Sequence, residues 1–222
     1  MNGERDGFMD LLASVAHDVK NSITLILSAA DEIGEVDGLP ERAREALITL
    51  QHQGRRASGD LLNILGAFKL ERGRPLVGRS QVDCEELLDE LVAFNRALLA
   101  ARGITLSVER CAVQEAYFDR GLVQGTLNSV INNAFRYARS WVRLDCRAEE
   151  GFVVFGVEDD GEGYPPKMLE TGEATGLKHN AESTSLGLFF ARRIAELHVH
   201  DGRQGRIALD NCPGSRFEIW LP

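Results

Sequence analysis

The sequence predicts an α + α/β protein, in which an N-terminal two-helix hairpin pairs with a second copy as a dimeric four-helix bundle and is followed by an α/β domain. Three observations carry this prediction. Over the first part of the chain, apolar residues keep helical spacing and break once, at a turn rich in Gly, Asp and Pro. After Gly73 the pattern changes to short alternating runs separated by glycine, proline and acidic turns. A length of 222 residues also leaves room for two modest domains.

The first helix is read from Phe8, Leu11, Leu12, Val15, Val19, Ile23, Ile26, Ala30 and Ile33, which recur at spacings of three and four. Gly34 to Pro40 should stop it. A second run begins at Glu41 and carries Leu47, Leu50, Ala57, Leu61, Leu65 and Phe68 on one face. Two helices of about 30 residues are each roughly 45 Å long. A lone hairpin has two apolar stripes and one partner to cover them, so a homodimer is expected. The hairpin is assigned to residues 1–73, a linker to 74–80 and the α/β domain to 81–222.

Within the α/β domain, Asp83 reads as an N-cap, with Glu85 and Glu86 in the first turn of a helix to Ala101. Ile104 to Val108 alternates like a strand, and Asp119 to Ala138 reads as a helix weakened by Gly121 and Gly125. Trp141–Arg147 and Phe152–Val157 read as neighbouring strands around the turn 149–151. A glycine-rich loop follows at Asp159–Tyr164, then a polar stretch to Thr184 and a helix over Ser185–His198. Arg206–Asp210 and Arg216–Leu221 read as closing strands around Pro213-Gly214.

Composition narrows the function classes. The apolar fraction of 44% and charged fraction of 27% are ordinary for a soluble globular protein. A formal charge of −9 argues against a nucleic-acid partner, which needs Lys and Arg to neutralise phosphates. No window approaches the roughly 18–20 apolar residues of a membrane span, and the first ten residues lack the features of a secretion signal. The expected location is cytoplasmic. Cys84, Cys111, Cys146 and Cys212 form no CxxC pair or metal-ligand pattern and read as reduced, mostly buried thiols.

Four segments carry chemistry. His17 falls outside the Val15, Val19, Ile23 seam, so its imidazole can face solvent and act as a nucleophile. Asp18 is placed to hold the ring's tautomer or take its proton, and Asn21 lies four residues on along the same face. Taken alone, His17 would read as a solvated surface histidine. Three asparagines, Asn128, Asn132 and Asn133, stand within six residues of a helix that disfavours them. The loop Asp159-Asp160-Gly161-Glu162-Gly163 taken alone is equally a tight turn. Gly187 opens a helix whose amides can meet phosphate oxygens.

Together these segments resemble the sensor histidine kinase family. FMDLLASVAHDVKNSI (Phe8–Ile23) looks like its histidine box, SVINNAFRYA (Ser129–Ala138) its N box, VEDDGEGY (Val157–Tyr164) its G1 box and STSLGL (Ser183–Leu188) its G2 box. PGSRFEIWLP resembles its closing strand. The boxes stand in the family's order from Phe8 to Pro222. Four residues depart from the pattern: Ser22 replaces a proline, Ser129 an asparagine, and Ser183 and Ser185 two glycines. The aromatic motif usual between G1 and G2 is also missing.

The resemblance implies a GHKL-type (Bergerat-type) ATP-binding sandwich that uses ATP and Mg²⁺. His17 would be the phosphoacceptor, assisted by Asp18, and Asn21 would position a water for dephosphorylating a bound regulator. Asn133 would contact Mg²⁺ and the phosphates, with Arg136 near the phosphates and Tyr137 beside the nucleotide. Asp159 would accept from the adenine amino group, Gly161 and Gly163 would pass close to base and ribose, and Gly187 and Leu188 would open the phosphate-facing helix. The implied partners are the receiver domain of a response regulator and a second copy of the chain. Since few residues precede the first helix, the chain is either a piece of a longer sensor or takes its signal from a separate sensor protein. Two other readings stay open: a histidine phosphotransferase that relays phosphate without ATP, and a non-catalytic regulatory dimerisation module. An ATPase like gyrase or the heat-shock chaperones would leave the histidine box unexplained.

Overall fold

The computed structural model describes residues 2–71, 77–171 and 185–222, with the side chains of residues 2–14, 16–17, 20, 52, 55–56, 60, 62–71, 171 and 185–186 excepted. The chain divides into two compact units, Met1–Arg74 and Pro75–Pro222. Among the described residues no helix is long and apolar enough to cross a membrane.

The first unit is two helices, α1 (Asn2–Gly34) and α2 (Glu41–Glu71), packed against each other. Gly54 permits the approach, because a Cβ there would lie 2.8 Å from Cδ2 of Leu27. Ala30 is buried between the helices, and Gln51 Nε2 donates to Asp31 Oδ1 at 2.7 Å. Val15, Val19, Ile26, Ile33 and Leu50 are 44–53% exposed in the single chain. Ser22, where a kinking proline is usual, donates its hydroxyl to the Asp18 carbonyl at 3.0 Å. The helix therefore keeps its course through this turn.

The second unit opens with β1 (Ser80–Asp83), which pairs antiparallel with β3 (Glu115–Phe118). Its main sheet has the order β2–β4–β5–β9–β8, from β2 (Thr105–Cys111), β4 (Trp141–Glu149), β5 (Phe152–Asp159), β8 (Arg206–Asn211) and β9 (Ser215–Leu221). The β2–β4 ladder is parallel and the others are antiparallel. Three helices cover one face: α3 (Cys84–Ala100) on β2, α4 (Arg120–Tyr137) on β5, and α6 (Ser185–Leu197) on β8 and β9. Alternation aims Val142, Leu144, Phe155, Val157, Phe217 and Ile219 into this layer, each at most 2% exposed. Asp83 caps α3 as expected, accepting from Glu86 N at 2.9 Å. The β4–β5 turn has φ of 51° at Glu150 and 78° at Gly151, the two positive values a two-residue hairpin of this hand requires.

Among the described residues the opposite face carries no helix, and side chains of the sheet itself lie over it. Arg216 on β9 reaches Asp145 at 2.8 Å, Glu158 at 2.8 Å and Glu218 at 2.9 Å. The pair Arg216–Asp145 lies over Gly156, where a Cβ would come within 2.3 Å of Asp145 Oδ2 and 2.9 Å of Arg216 Nη2. The Arg206 guanidinium stacks 3.8 Å from the Trp220 ring, which meets Phe152 edge-on.

The main elements stand within a few residues of where periodicity predicts them. The expected strand at 104–108 runs on to Cys111, past an irregularity between Val108 and Arg110. Ser80, at the end of the expected linker, opens β1. The short elements β1, β3, α5 (Pro166–Thr171), β6 (Val199–His200) and β7 (Arg203–Gln204) were not foreseen. Two to six residues are too few for a period to register.

Gly156→Ala should force the Arg216–Asp145 bridge off the sheet and cost about 1–3 kcal/mol. A lower urea midpoint at unchanged slope, with unaltered far-UV circular dichroism, is the expected result.

Candidate functional site

The G1 turn is built at the end of β5, where Asp159 is 4% exposed. Its Oδ1 accepts from Gly161 N at 2.7 Å and its Oδ2 accepts from the hydroxyl of Ser215 on β9. A carboxylate offers about four acceptor positions, so two donors leave capacity for a third group. Gly214 makes the closure possible, since a Cβ there would fall 2.1 Å from the Asp159 carbonyl oxygen. Gly161 is required by close approach: its Cβ would lie 2.6 Å from the Tyr137 carbonyl and 2.7 Å from Asp159 Oδ1. Gly163 is required by conformation, with φ of 82°. Asn211 then ties the turn to β8, accepting from Tyr164 N at 2.7 Å and donating to Tyr164 O at 2.9 Å. Burial pushes the Tyr164 hydroxyl's pKa up; the Ser215 hydrogen bond opposes this and the Asp159 charge adds to it.

Asp160 faces the other way. It accepts from Arg139 N at 2.9 Å, Ser140 N at 3.0 Å, Ser140 Oγ at 2.5 Å and Trp141 N at 3.2 Å. The turn is thereby fixed to the end of α4. Burial pushes this carboxyl up, but the Ser140, Trp141 and Arg139 hydrogen bonds outweigh it and hold the group well below the usual range.

The three asparagines of α4 separate by role. Asn128 Oδ1 accepts from Asn95 Nδ2 at 2.8 Å and belongs to α3–α4 packing. Asn132 is buried, and its Oδ1 has no partner among the described residues. Asn133 is half-buried and faces the start of α6, where a Cβ on Gly187 would lie 4.0 Å from Asn133 Nδ2 and 3.1 Å from Ser129 Oγ. Asn133, Ser129 and Gly187 thus bring an amide, a hydroxyl and a bare backbone together. Neutral oxygen donors beside a helix start fit Mg²⁺, which keeps most of its shell as water and phosphate. Arg136 is half-buried at the end of α4 and Tyr137 is 53% exposed. Leu188 is buried in the core, so only its backbone is left to serve the site.

Asp159, Gly161 and Tyr137 are therefore in one place, and Asn133 meets Gly187 across α4 and α6. His17, Asp18 and Asn21 lie in the first unit on α1; Asp18 and Asn21 are exposed, and the His17 side chain is outside the described residues. Ser183 is also outside them, as are the side chain of Ser185 and the polar stretch at 172–184.

Sequence reasoning missed Asp160, Asn211, Ser215 and a junction centred on Asp119. The Asp119 Oδ1 caps α4, accepting from Leu122 N at 3.1 Å, and its Oδ2 accepts from Gly78 N at 3.0 Å. Asp119 N donates to Nε2 of His198 at 3.1 Å, and His198 Nδ1 donates to the Ile194 carbonyl of α6 at 2.8 Å. These bonds require a neutral ring with its proton on Nδ1. Burial lowers the His198 pKa, the Ile194 hydrogen bond and the Asp119 charge raise it, and the Arg79 charge lowers it, with a net fall. The one available signal was Asp119 itself, as an N-cap; its other partners are 41 and 79 residues away.

Comparison with known proteins agrees with this fold. Residues 119–222 match the family described as histidine kinase-, DNA gyrase B- and HSP90-like ATPase. The chain is 23% identical over 224 residues to sensor protein SrrB of Staphylococcus aureus (strain N315), covering 96% of this chain and 38% of that protein. It thus spans well under half the length of the curated relatives it matches. Among solved structures, full-length ShkA in complex with AMPPNP matches with a TM-score of 0.61 at 21% identity, over 95% of this chain and 44% of that one. The Acinetobacter baumannii histidine kinase AdeS matches with a TM-score of 0.58 at 19% identity, over 90% of this chain and 95% of that one. The catalytic domain of histidine kinase ThkA matches with a TM-score of 0.55 at 18% identity, over 65% of this chain and 95% of that one.

Two predictions follow from the turn and the junction. Asn211→Ala removes both bonds to Tyr164 and should cost about 1–2 kcal/mol, with faster amide exchange at Tyr164. His198 has a lowered folded pKa, so the unfolded state takes up its proton first. Stability should hold above the ordinary histidine value and fall as pH drops below it. Urea midpoints across that range should show the fall, and His198→Gln should flatten it.

Proposed function

With the second unit taken as a histidine kinase-, DNA gyrase B- and HSP90-like ATPase domain within a histidine kinase catalytic core, we propose that the chain is a two-component histidine kinase. It would phosphorylate His17 from ATP and pass the phosphoryl group to an aspartate on a response-regulator receiver domain. The observation that carries this reading is Asp159, a buried carboxylate at a strand end with two positioned donors and acceptor capacity to spare. Such a group recognises an adenine amino group by a hydrogen bond that water does not compete for.

The roles follow from chemistry and placement. Asp159 takes the base, and Gly161 and Gly163 let the chain pass beside base and ribose. Tyr137 flanks the nucleotide and Arg136 faces the phosphates. The backbone at Gly187 and Leu188 supplies amides at the start of α6. Asn133, with Ser129 beside it, would hold Mg²⁺, which when bound offsets phosphate charge. Phosphoryl transfer is chiefly a matter of alignment and charge, so these groups act by positioning. On α1, His17 attacks the γ-phosphorus through a ring nitrogen, Asp18 steadies the ring or takes its proton, and Asn21 positions water for the reverse task on a bound regulator. The exposed apolar residues of α1 and α2 support residues 1–73 as a dimerisation and phosphotransfer hairpin in a homodimer. The expected location is the cytoplasm, with input from a sensor that is either covalently joined or separate.

The test pairs binding with labelling. Titration with ADP and Mg²⁺ should give binding that Asp159→Ala abolishes, and radioactive ATP should leave an acid-labile label that His17→Ala loses entirely. ADP binding without label would favour the regulatory module. Loss of ADP binding alongside phosphate uptake from a phosphorylated regulator would favour the ATP-independent relay.

A further inference from the structure

Three of the four cysteines meet at one corner of the second unit, at the β2 edge of the sheet. Cys84 is the first residue of α3, Cys111 the last of β2, and Cys146 lies on β4. Cys111 and Cys146 are lateral partners across the parallel β2–β4 ladder, and Ala112 N donates to the Cys146 carbonyl at 2.8 Å just beyond them. Neighbouring strands run about 4.8 Å apart. That spacing lies within the roughly 4.4–6.8 Å between Cα atoms that a disulfide spans.

The bulge decides which way Cys111 points. Leu106 and Val108 face the core, so unbroken alternation would send Arg110 inward and Cys111 outward. The register shift between Val108 and Arg110 adds one residue and reverses this. Arg110 is exposed, while Cys111 is half-buried against the core beside Cys146, which is 0% exposed. Cys111 Sγ donates to the Val113 carbonyl at 3.3 Å, and Cys84 Sγ to the Val82 carbonyl at 4.0 Å. Cys212 follows β8, at the opposite edge of the sheet.

We propose that Cys111 and Cys146 are an oxidisable pair, a modification site at which a hydroperoxide forms a disulfide joining β2 to β4. Cys111, the half-exposed member, meets the oxidant first. Its thiolate attacks one peroxide oxygen, the O–O bond breaks, and with hydrogen peroxide one water leaves and Cys111 becomes a sulfenic acid. The Cys146 sulfur then attacks the Cys111 sulfur and displaces the hydroxyl, which departs as a second water with the Cys146 proton. Two thiols and one peroxide give one disulfide and two waters; both sulfurs are oxidised and the peroxide is reduced. Burial raises the Cys111 thiol, and hydrogen bonding with Cys84 followed by burial raises that of Cys146, so the reaction should quicken with pH. Cys84 is the competing partner: Cys146 stabilises its thiolate by a hydrogen bond, but no strand register aligns it with either sulfur.

The test uses the full reduced chain, treated with hydrogen peroxide at about pH 7 and about pH 8.5. Remaining thiols are blocked with N-ethylmaleimide before trypsin digestion and mass spectrometry. Cleavage should release Cys111–Arg120 and Leu144–Arg147 as one linked species, lighter by two hydrogens than the two peptides together. The link should form several-fold faster at the higher pH, persist in Cys212→Ser and vanish in Cys111→Ser. Recovery of Cys111 and Cys146 as separate maleimide adducts would overturn the proposal. So would a link through Cys84 in place of Cys111, or one that forms only in urea. The wild-type digest decides the matter even if Cys111→Ser fails to fold.

Discussion

The second unit depends on one constraint: among the described residues, its five-stranded sheet has helices on only one face. The other face must satisfy its own polar groups and shield its own apolar ones. Arg216 does the first with three carboxylates, and the Arg206–Trp220–Phe152 stack does the second. Charges this close to a hydrophobic floor stabilise only when they are fully paired. That requirement explains Gly156, whose missing side chain lets the bridge settle onto the strand. With the outer face closed, β5 can stay central and hold its last residue, Asp159, in a fixed place.

The site grows from that end of β5 by exclusion as much as by attraction. Gly214 and Gly161 are positions where any side chain would strike backbone or carboxylate. Asp159 and its neighbour Asp160 then divide the work. One points into the domain and keeps acceptor capacity, while the other points out and fixes the turn to the chain after α4. A pair of identical residues thus acquires opposite functions through backbone direction alone.

Much of this was legible in the sequence, for definite reasons. Long amphipathic helices and alternating strands announce themselves by period, and Asp83 announced α3 by its capping chemistry. Asp159, Gly161, Gly163 and Gly187 were singled out by the resemblance of their segments to a family's boxes, since the loop taken alone is equally a tight turn. Ser215 and Asn211 were not, because small polar residues in a turn look the same whether or not they touch a distant site. The same limit hid the cysteine corner: Cys111 and Cys146 stand 35 positions apart, and the bulge that turns them to one side leaves no mark on the pattern. The β1–β3 ribbon and the β6–β7 hairpin were hidden by brevity.

The Asp119 junction bears on how this domain can be cut free. Gly78 precedes β1, yet its amide is held by the residue that begins α4, and that residue's own amide is held by the ring that ends α6. The physical edge of the domain therefore lies upstream of its first strand. A fragment trimmed to start at Ser80 would keep every strand and helix of the fold but lose the Gly78 amide that helps fill the Asp119 carboxylate. One starting at Pro75 would carry that closure with it. Where a domain ends is set here by the last hydrogen bond it makes, not by its last regular element.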